Sequence, residues 1–116
     1  DLIRLITPTT DDERLETILK GASGFLYYVS ITGITGTASA DMSQLQPRLK
    51  HIRQKTALPI AVGFGIKTEK DAAAMGRICN AVVVGSAIVE TIAEIQSGSK
   101  TVQDVATQVK ALRHAL

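Results

Sequence analysis

Two turns that contain glycine follow apolar segments of the chain, and both have the residue types that bind an anion through the backbone. The first turn is Gly63-Phe64-Gly65 and the second is Gly85-Ser86. Glycine lets a ligand approach the main chain closely because it has no side chain. A helix that begins directly after the second turn would point its free N–H groups and the positive end of its dipole at the ligand. Together the two turns predict a phosphate-binding site.

Each turn taken alone has an ordinary structural explanation. Glycine ends many strands, and Ser86 is of a residue type that commonly caps a helix. The presence of both turns in this order, with a short helix after the second one, favours the phosphate site. The turn at Gly63-Phe64-Gly65 lacks the third glycine of a dinucleotide-binding fingerprint, and the chain has no P-loop sequence.

Residues 30–40 are rich in Gly, Ser and Thr, which predicts a long loop. A loop of this length in a compact domain is often a lid or a binding loop, and a flexible connection is the alternative. Tyr27 and Tyr28 come shortly before it, on a predicted strand. Because side chains alternate along a strand, one tyrosine should face the helices. The other should face the opposite side, where it could contact a ligand.

The acidic and histidine residues form no evident catalytic arrangement. None of the 11 acidic residues directly follows the second, third or fourth apolar segment, and helix capping explains Asp11 and Asp12 near the first. His51 and His114 are expected on helix surfaces, and Lys67 is expected to be solvated. General acid–base chemistry needs a titratable group within hydrogen-bond reach of the reacting atom. We therefore expect a ligand-binding chain that lacks its catalyst, and no metal-ligand cluster is evident.

Alternating strands and helices must position these turns. Apolar segments predict strands over residues 2–6, 25–29, 59–62 and 81–84. Capped or amphipathic segments predict helices over residues 10–20, 41–55, 68–77, 87–96 and 101–116, with Thr10 and Thr68 as N-caps. Each strand–helix unit has roughly the length that a parallel crossover needs. The order predicts an α/β parallel sheet, which fits either a doubly wound sheet or a piece of a barrel.

Composition narrows the class of protein. The chain has 116 residues, of which 45% are hydrophobic and 3% aromatic, and its net charge is +2, so we expect one globular domain over residues 1–116. Scattered basic residues and few aromatics argue against nucleic-acid binding. No stretch is long and apolar enough for a membrane span, and the single cysteine, Cys79, fits a cytoplasmic protein with an inert thiol. The chain opens at Asp1, directly in a strand pattern, so we expect an N-terminal portion to precede it.

Four segments together resemble the tryptophan synthase alpha subunit. They are Gly24-Phe25-Leu26-Tyr27-Tyr28-Val29-Ser30, Thr32-Gly33-Ile34-Thr35-Gly36, Leu58-Pro59-Ile60-Ala61-Val62-Gly63-Phe64-Gly65-Ile66 and Val84-Gly85-Ser86-Ala87-Ile88-Val89. The resemblance runs over essentially the whole chain but covers only the C-terminal half of the family's sequence. It implies the (βα)4 half of a TIM (β/α)8 barrel, corresponding to strands five to eight with their helices.

The resemblance also implies an activity, which is the cleavage of indole-3-glycerol phosphate to indole and glyceraldehyde 3-phosphate. Indole would pass to a beta subunit that carries pyridoxal phosphate, so no cofactor is expected on this chain. The residues implied are Gly36, Gly65, Gly85 and Ser86 for the phosphate, Tyr27 and Phe64 beside the indole, and Thr35 in a mobile loop. The family's two catalytic carboxylates belong to its N-terminal half, so no catalytic residue is expected here. Ile31 departs from the Arg that this loop often contains.

Three interpretations remain open at this point. The chain could be the C-terminal half of a lyase of this family. It could instead be a half-barrel that binds phosphate without catalysis and associates with itself, because half a barrel would expose two sheet edges and an apolar face. A third interpretation is another barrel enzyme that acts on phosphosugars, although the loop Gly33-Ile34-Thr35-Gly36 argues against it.

Overall fold

In the computed structural model, which describes residues 1–30, 42–63 and 65–116, strands and helices alternate along the chain. The strands are β1 (Arg4–Ile6), β2 (Leu26–Val29), β3 (Ile60–Gly63) and β4 (Ala81–Val83). The helices are α1 (Asp12–Leu19), α2 (Met42–Lys55), α3 (Glu69–Gly76), α4 (Ser86–Gln96) and α5 (Val102–His114). The strands pair in the order β1-β2-β3-β4, and every pair is parallel. The predicted element order is confirmed.

The two faces of the sheet have different surroundings. Ile6, Tyr28 and Val62 stand opposite one another in the strand register and are almost fully buried. Leu5 and Tyr27, which also face each other, lie on the other side, where Leu5 is 61% exposed and Tyr27 is partly exposed. The helices therefore cover one face, and the other face, which we call the bare face, includes exposed apolar side chains.

An aliphatic core lies between the covered face and the helices. Burying each of its larger side chains stabilises the fold by about 1.5–3 kcal/mol. Burial also raises the pKa of the Tyr28 hydroxyl. Burial likewise raises the pKa of the Cys79 thiol, which donates a hydrogen bond to the carbonyl oxygen of Met75 and so stays neutral. The helix residues of the core are Leu15, Leu45, Leu49, Ile52, Ala72, Met75 and Leu112.

A row of polar contacts, including ion pairs, joins α1 to α2 and involves His51, which the sequence placed on a helix surface. His51 Nε2 lies 2.8 Å and Arg48 Nη1 3.5 Å from Asp12 Oδ1, and Lys55 Nζ lies 3.0 Å from Glu16 Oε1. These pairs can form together because residues three or four apart lie on the same face of a helix. Asp12 and Glu16 share a face of α1, and their partners share a face of α2. The hydrogen bond with His51 lowers the pKa of the Asp12 carboxyl.

Two predicted helix caps differ from the structure by one residue. Asp11, not Thr10, caps α1, since its Oδ1 accepts a hydrogen bond of 2.8 Å from the Arg14 N–H. Thr10 is buried and accepts from the Thr7 N–H instead. At α4 the N-cap is Gly85, and Ser86 is the first helical residue.

The starts of α3 and α5 agree with the sequence. Thr68 caps α3 as predicted, and α5 begins directly after Thr101.

In the part of the chain that the structure describes, no helix combines the length and the apolar character that crossing a membrane requires.

Candidate phosphate-binding site

The two glycine turns lie side by side because they follow adjacent parallel strands. Gly63 at the end of β3 stands opposite Val83 at the end of β4. The chain continues from these positions to Gly65 in one case and to Gly85 in the other. Parallel α/β folds bind their ligands at this carboxyl edge of the sheet. The register therefore brings three predicted phosphate ligands, Gly65, Gly85 and Ser86, to one edge.

The turn after β3 is fixed by its own side chains. Gly65 has a φ of +76°, in the left-handed region that favours glycine, while Ile66 is buried beneath the turn. Thr68 Oγ1 accepts a hydrogen bond of 3.1 Å from the Asp71 N–H, and Asp71 Oδ2 accepts one of 3.0 Å from the Thr68 N–H. The hydroxyl of Thr68 donates to the same carboxylate, which lowers the pKa of Asp71. This capping box holds the turn in place at the start of α3.

The start of α4 has no such cap. Gly85 offers no side-chain acceptor, and its carbonyl oxygen already accepts from the N–H groups of Ile88, at 2.9 Å, and Val89, at 3.2 Å. The N–H groups of Ser86 and Ala87 precede these bonds, in the part of a helix that lacks intrahelical partners. Both Gly85 and Ser86 are exposed. Within the described residues, the start of α4 therefore leaves these two backbone donors without a side-chain cap.

The space beside Gly85 is open. A Cβ atom added to Gly85 would have no other atom within 4 Å, and the backbone φ of −113° is one that any residue adopts. Neither packing within the described structure nor backbone conformation therefore requires glycine at this position. A group that occupies the space in front of α4 would require it.

Gly63 has a different role from the one that the sequence indicated. An added Cβ would lie 2.6 Å from Cζ of Tyr27 and still closer to its hydroxyl oxygen. The space above Gly63 is therefore filled by Tyr27, not left for a ligand. The ring of Tyr27 lies on the bare face, and its hydroxyl reaches the last residue of β3, beside the first turn.

Ser30 is a structural residue of the site that sequence reasoning placed only in the loop. Its backbone N–H and its Oγ both donate to the carbonyl oxygen of Gly63, each at 3.1 Å, and the side chain is buried. These bonds fasten the end of β2 to the end of β3. A single Ser after an apolar strand carries no signal that would predict this contact.

An ion pair links the segment after the first glycine turn to α4. Lys67 Nζ lies 3.5 Å from Oε1 of Glu90, the fifth residue of α4. The sequence predicted a solvated Lys67, and its side chain is indeed 48% exposed, but it has this partner. Asp71 and Glu90, two of the acidic residues that follow the turns, are thus both engaged.

The other predicted site residues, Gly36, Phe64 and Thr35, lie outside the described residues, as does the rest of the loop from Ile31. Tyr27 stands opposite Ala61 within the sheet, and its hydroxyl reaches Gly63 at the carboxyl edge that leads to Gly65, Gly85 and Ser86. Across residues 1–30, 42–63 and 65–116, no three His, Cys, Asp or Glu side chains are grouped so that they could hold a metal ion.

Comparison with known proteins gives one consistent family. The family model described as "Tryptophan synthase alpha chain" matches residues 1–116. The tryptophan synthase alpha chain of Gluconacetobacter diazotrophicus is 47% identical over 121 aligned positions, which include all of this chain and 44% of the relative. The chain thus spans less than half the length of this curated relative.

Solved structures show the same partial match. Tryptophan synthase alpha chain from Legionella pneumophila is 32% identical, with a TM-score of 0.81 over 97% of this chain and 41% of that one. The alpha subunit from Campylobacter jejuni is 35% identical, with a TM-score of 0.79 over 96% of this chain and 43% of that one. The four parallel strands with their helices are therefore half of a TIM barrel, strands five to eight, as predicted.

We predict that Gly63→Ala destabilises the protein by about 1–3 kcal/mol, because the new methyl group would overlap the Tyr27 ring. Gly85→Ala is the matched control and should leave the free energy of unfolding within about 1 kcal/mol of the original, since its methyl group meets only open space. Urea unfolding followed by circular dichroism measures both. Tyr27→Phe in the Gly63→Ala background should recover part of the loss, and equal losses at the two glycines would contradict this packing.

Proposed function

Because the chain belongs to the tryptophan synthase alpha chain family, we propose that it supplies the phosphate-binding half of a site for indole-3-glycerol phosphate. The intact enzyme would be a lyase that releases indole and glyceraldehyde 3-phosphate. The single observation that carries the proposal is the uncapped start of α4, where Gly85 leaves open space beside the turn at Gly65.

Three other helix starts differ from that of α4. The starts of α1, α3 and α5 each hold a carboxylate of their own chain, from Asp11, Asp71 and Asp104. A carboxylate there offsets the positive end of the helix dipole and accepts an N–H at the cap or in the first turn. Among the described residues, the start of α4 has no such carboxylate, and a phosphate group would take its place. Ser86 would add its hydroxyl to the donors.

The remaining contacts follow from the sheet and from the family. Tyr27 would border the indole, since its ring stands on the bare face next to the phosphate turns. Phe64 would form a second wall, and Gly36 would add a backbone donor to the phosphate. Thr35 would belong to the loop that closes over the substrate.

The reaction needs two proton transfers that this half-site does not supply. The bond between indole C3 and the glycerol phosphate chain breaks, C3 gains a proton, and the neighbouring hydroxyl loses one as the aldehyde forms. Each transfer needs a titratable group within hydrogen-bond reach. Asp71 is engaged in its capping box and Glu90 in its ion pair. The catalytic carboxylates would thus come from the N-terminal half of the barrel, and the beta subunit, with its pyridoxal phosphate, would receive the indole.

We predict that the 116-residue chain releases no indole from indole-3-glycerol phosphate, because it binds substrate without an acid–base pair. A colorimetric indole assay measures this, with the full-length relative from Gluconacetobacter diazotrophicus as the positive control. Turnover by the chain that approaches that of the control would contradict the proposed division of the site.

We further predict that Gly85→Ala weakens the binding of glycerol 3-phosphate by at least roughly tenfold, because its methyl group would occupy the phosphate position and keep the ligand from the α4 N–H groups. Equilibrium dialysis gives the affinity. Gly98→Ala is the control beyond the far end of α4. Alanine is strained at its φ of +77° but meets no other atom, so this variant should lose stability and not affinity, and should bind like the original protein. If Gly85→Ala binds as tightly as the control, the phosphate does not lie at the start of α4.

A second candidate function is that of a half-barrel that associates with another copy of itself and does not catalyse. Among the described residues, β1 pairs only with β2, and β4 pairs only with β3, so both edges of the sheet are free. The bare face exposes Leu5, and Val83 on β4 is 37% exposed. A twofold axis along the strands would pair β4 of each copy with β1 of the other, keep every pair parallel and enclose both bare faces.

This second candidate predicts a dimer in sedimentation equilibrium at micromolar concentrations. Leu5→Lys should shift the protein to the monomer, because the ammonium group would be buried inside the closed barrel. Ile92→Lys is the control, since the side chain of Ile92 on α4 is already 46% exposed. A folded monomer at all concentrations would contradict self-association.

A further inference from the structure

The ion pair of Lys67 and Glu90 lies at the edge of the proposed phosphate site, and neither residue is among the proposed phosphate ligands. Lys67 comes two residues after Gly65, and Glu90 comes four residues after Ser86. Residues four apart lie on the same face of a helix. Since Nζ and Oε1 are 3.5 Å apart, the ammonium group of Lys67 reaches the face of α4 that carries Ser86.

The backbone of Lys67 is held in place, whereas its side chain has freedom to move. The Lys67 N–H donates to Asp71 Oδ2 at 3.4 Å, so the capping box of α3 fixes the position from which the side chain extends. The side chains of Lys67 and Glu90 are 48% and 60% exposed. An exposed ion pair of this kind is weak, and a stronger anion can replace its carboxylate.

Charge favours such a replacement when a phosphate is bound. Glu90 places one negative charge about 6 Å along the helix from its start, where it would repel a second anion. Lys67 partly neutralises that charge. A phosphate monoester carries nearly two negative charges at neutral pH and presents three acceptor oxygens, so it attracts an ammonium group more strongly than one carboxylate does.

We infer that Lys67 is a side-chain ligand of the phosphate and that Glu90 is the competing anion that holds it while no phosphate is bound. The inference rests on the proposed phosphate site at Gly65, Gly85 and Ser86. The backbone donors would fix where the phosphate lies, and the ion pair would set how tightly it is held. Removing Lys67 should weaken binding, whereas neutralising Glu90 should strengthen it.

The test is equilibrium dialysis of glycerol 3-phosphate at pH 7.5 and 150 mM salt. Lys67→Met should weaken binding by roughly three- to tenfold, and Glu90→Gln should tighten it by roughly threefold. The matched controls are Lys100→Met and Glu94→Gln, which make the same charge changes in an ion pair of 2.9 Å at the other end of α4. Both controls should bind like the original protein.

The possible results separate this inference from the function on which it rests. Opposite shifts in Lys67→Met and Glu90→Gln, with unchanged controls, support the role of the pair. If Gly85→Ala abolishes binding but the Lys67 and Glu90 variants match their controls, the pair has no role and the phosphate site stands. If the original protein does not bind glycerol 3-phosphate, both the site and the pair are overturned. Equal shifts in the test and control variants would show a general charge effect and would also overturn the inference.

Discussion

The parallel pairing of β3 with β4 is the constraint on which the rest of the site depends. Because Gly63 stands opposite Val83, both strands end at the same edge, and the turns that follow them are neighbours. A shift of this register by one residue would turn each side chain of β4 to the other face of the sheet. It would also move the start of α4 away from Gly65. Val62 and Val82 stand opposite each other on the covered face, and their packing against the core fixes the register.

The helix starts serve different purposes. Those of α1, α3 and α5 are capped and contribute to stability, whereas the start of α4 is available for binding. Asp11 accepts from the N–H of Arg14 within α1, and Asp71 and Asp104 accept from the N–H groups of the cap residues of α3 and α5. Gly85 has no side chain that could accept in this way, although a serine or aspartate there would stabilise α4 by roughly a few tenths of a kcal/mol. Sites that break a local rule without a structural reason are often functional. The phosphate group of the proposed substrate would fill this position.

Local patterns in the sequence sufficed for the order of elements and for most helix starts. The four apolar segments predicted the four strands, and Thr68 was predicted as the cap of α3. Contacts between distant parts of the chain were not predictable in this way. Tyr27 fills the space above Gly63, and His51 pairs with Asp12, only because the fold brings them together. At α1 the sequence allowed two adjacent caps, and burial of Thr10 leaves that role to Asp11.

The most direct test of a phosphate at the start of α4 is a titration of the ¹⁵N-labelled chain with glycerol 3-phosphate, observed by NMR. The amide signals of Ser86 and Ala87 should shift in a saturable way, together with that of Gly65. The amides of Val102 and Gln103 are the internal reference, because they begin α5, whose cap residue Thr101 already donates to a carboxylate. They should not move. Shifts confined to α5, or no saturable shift at Ser86 and Ala87, would contradict the account.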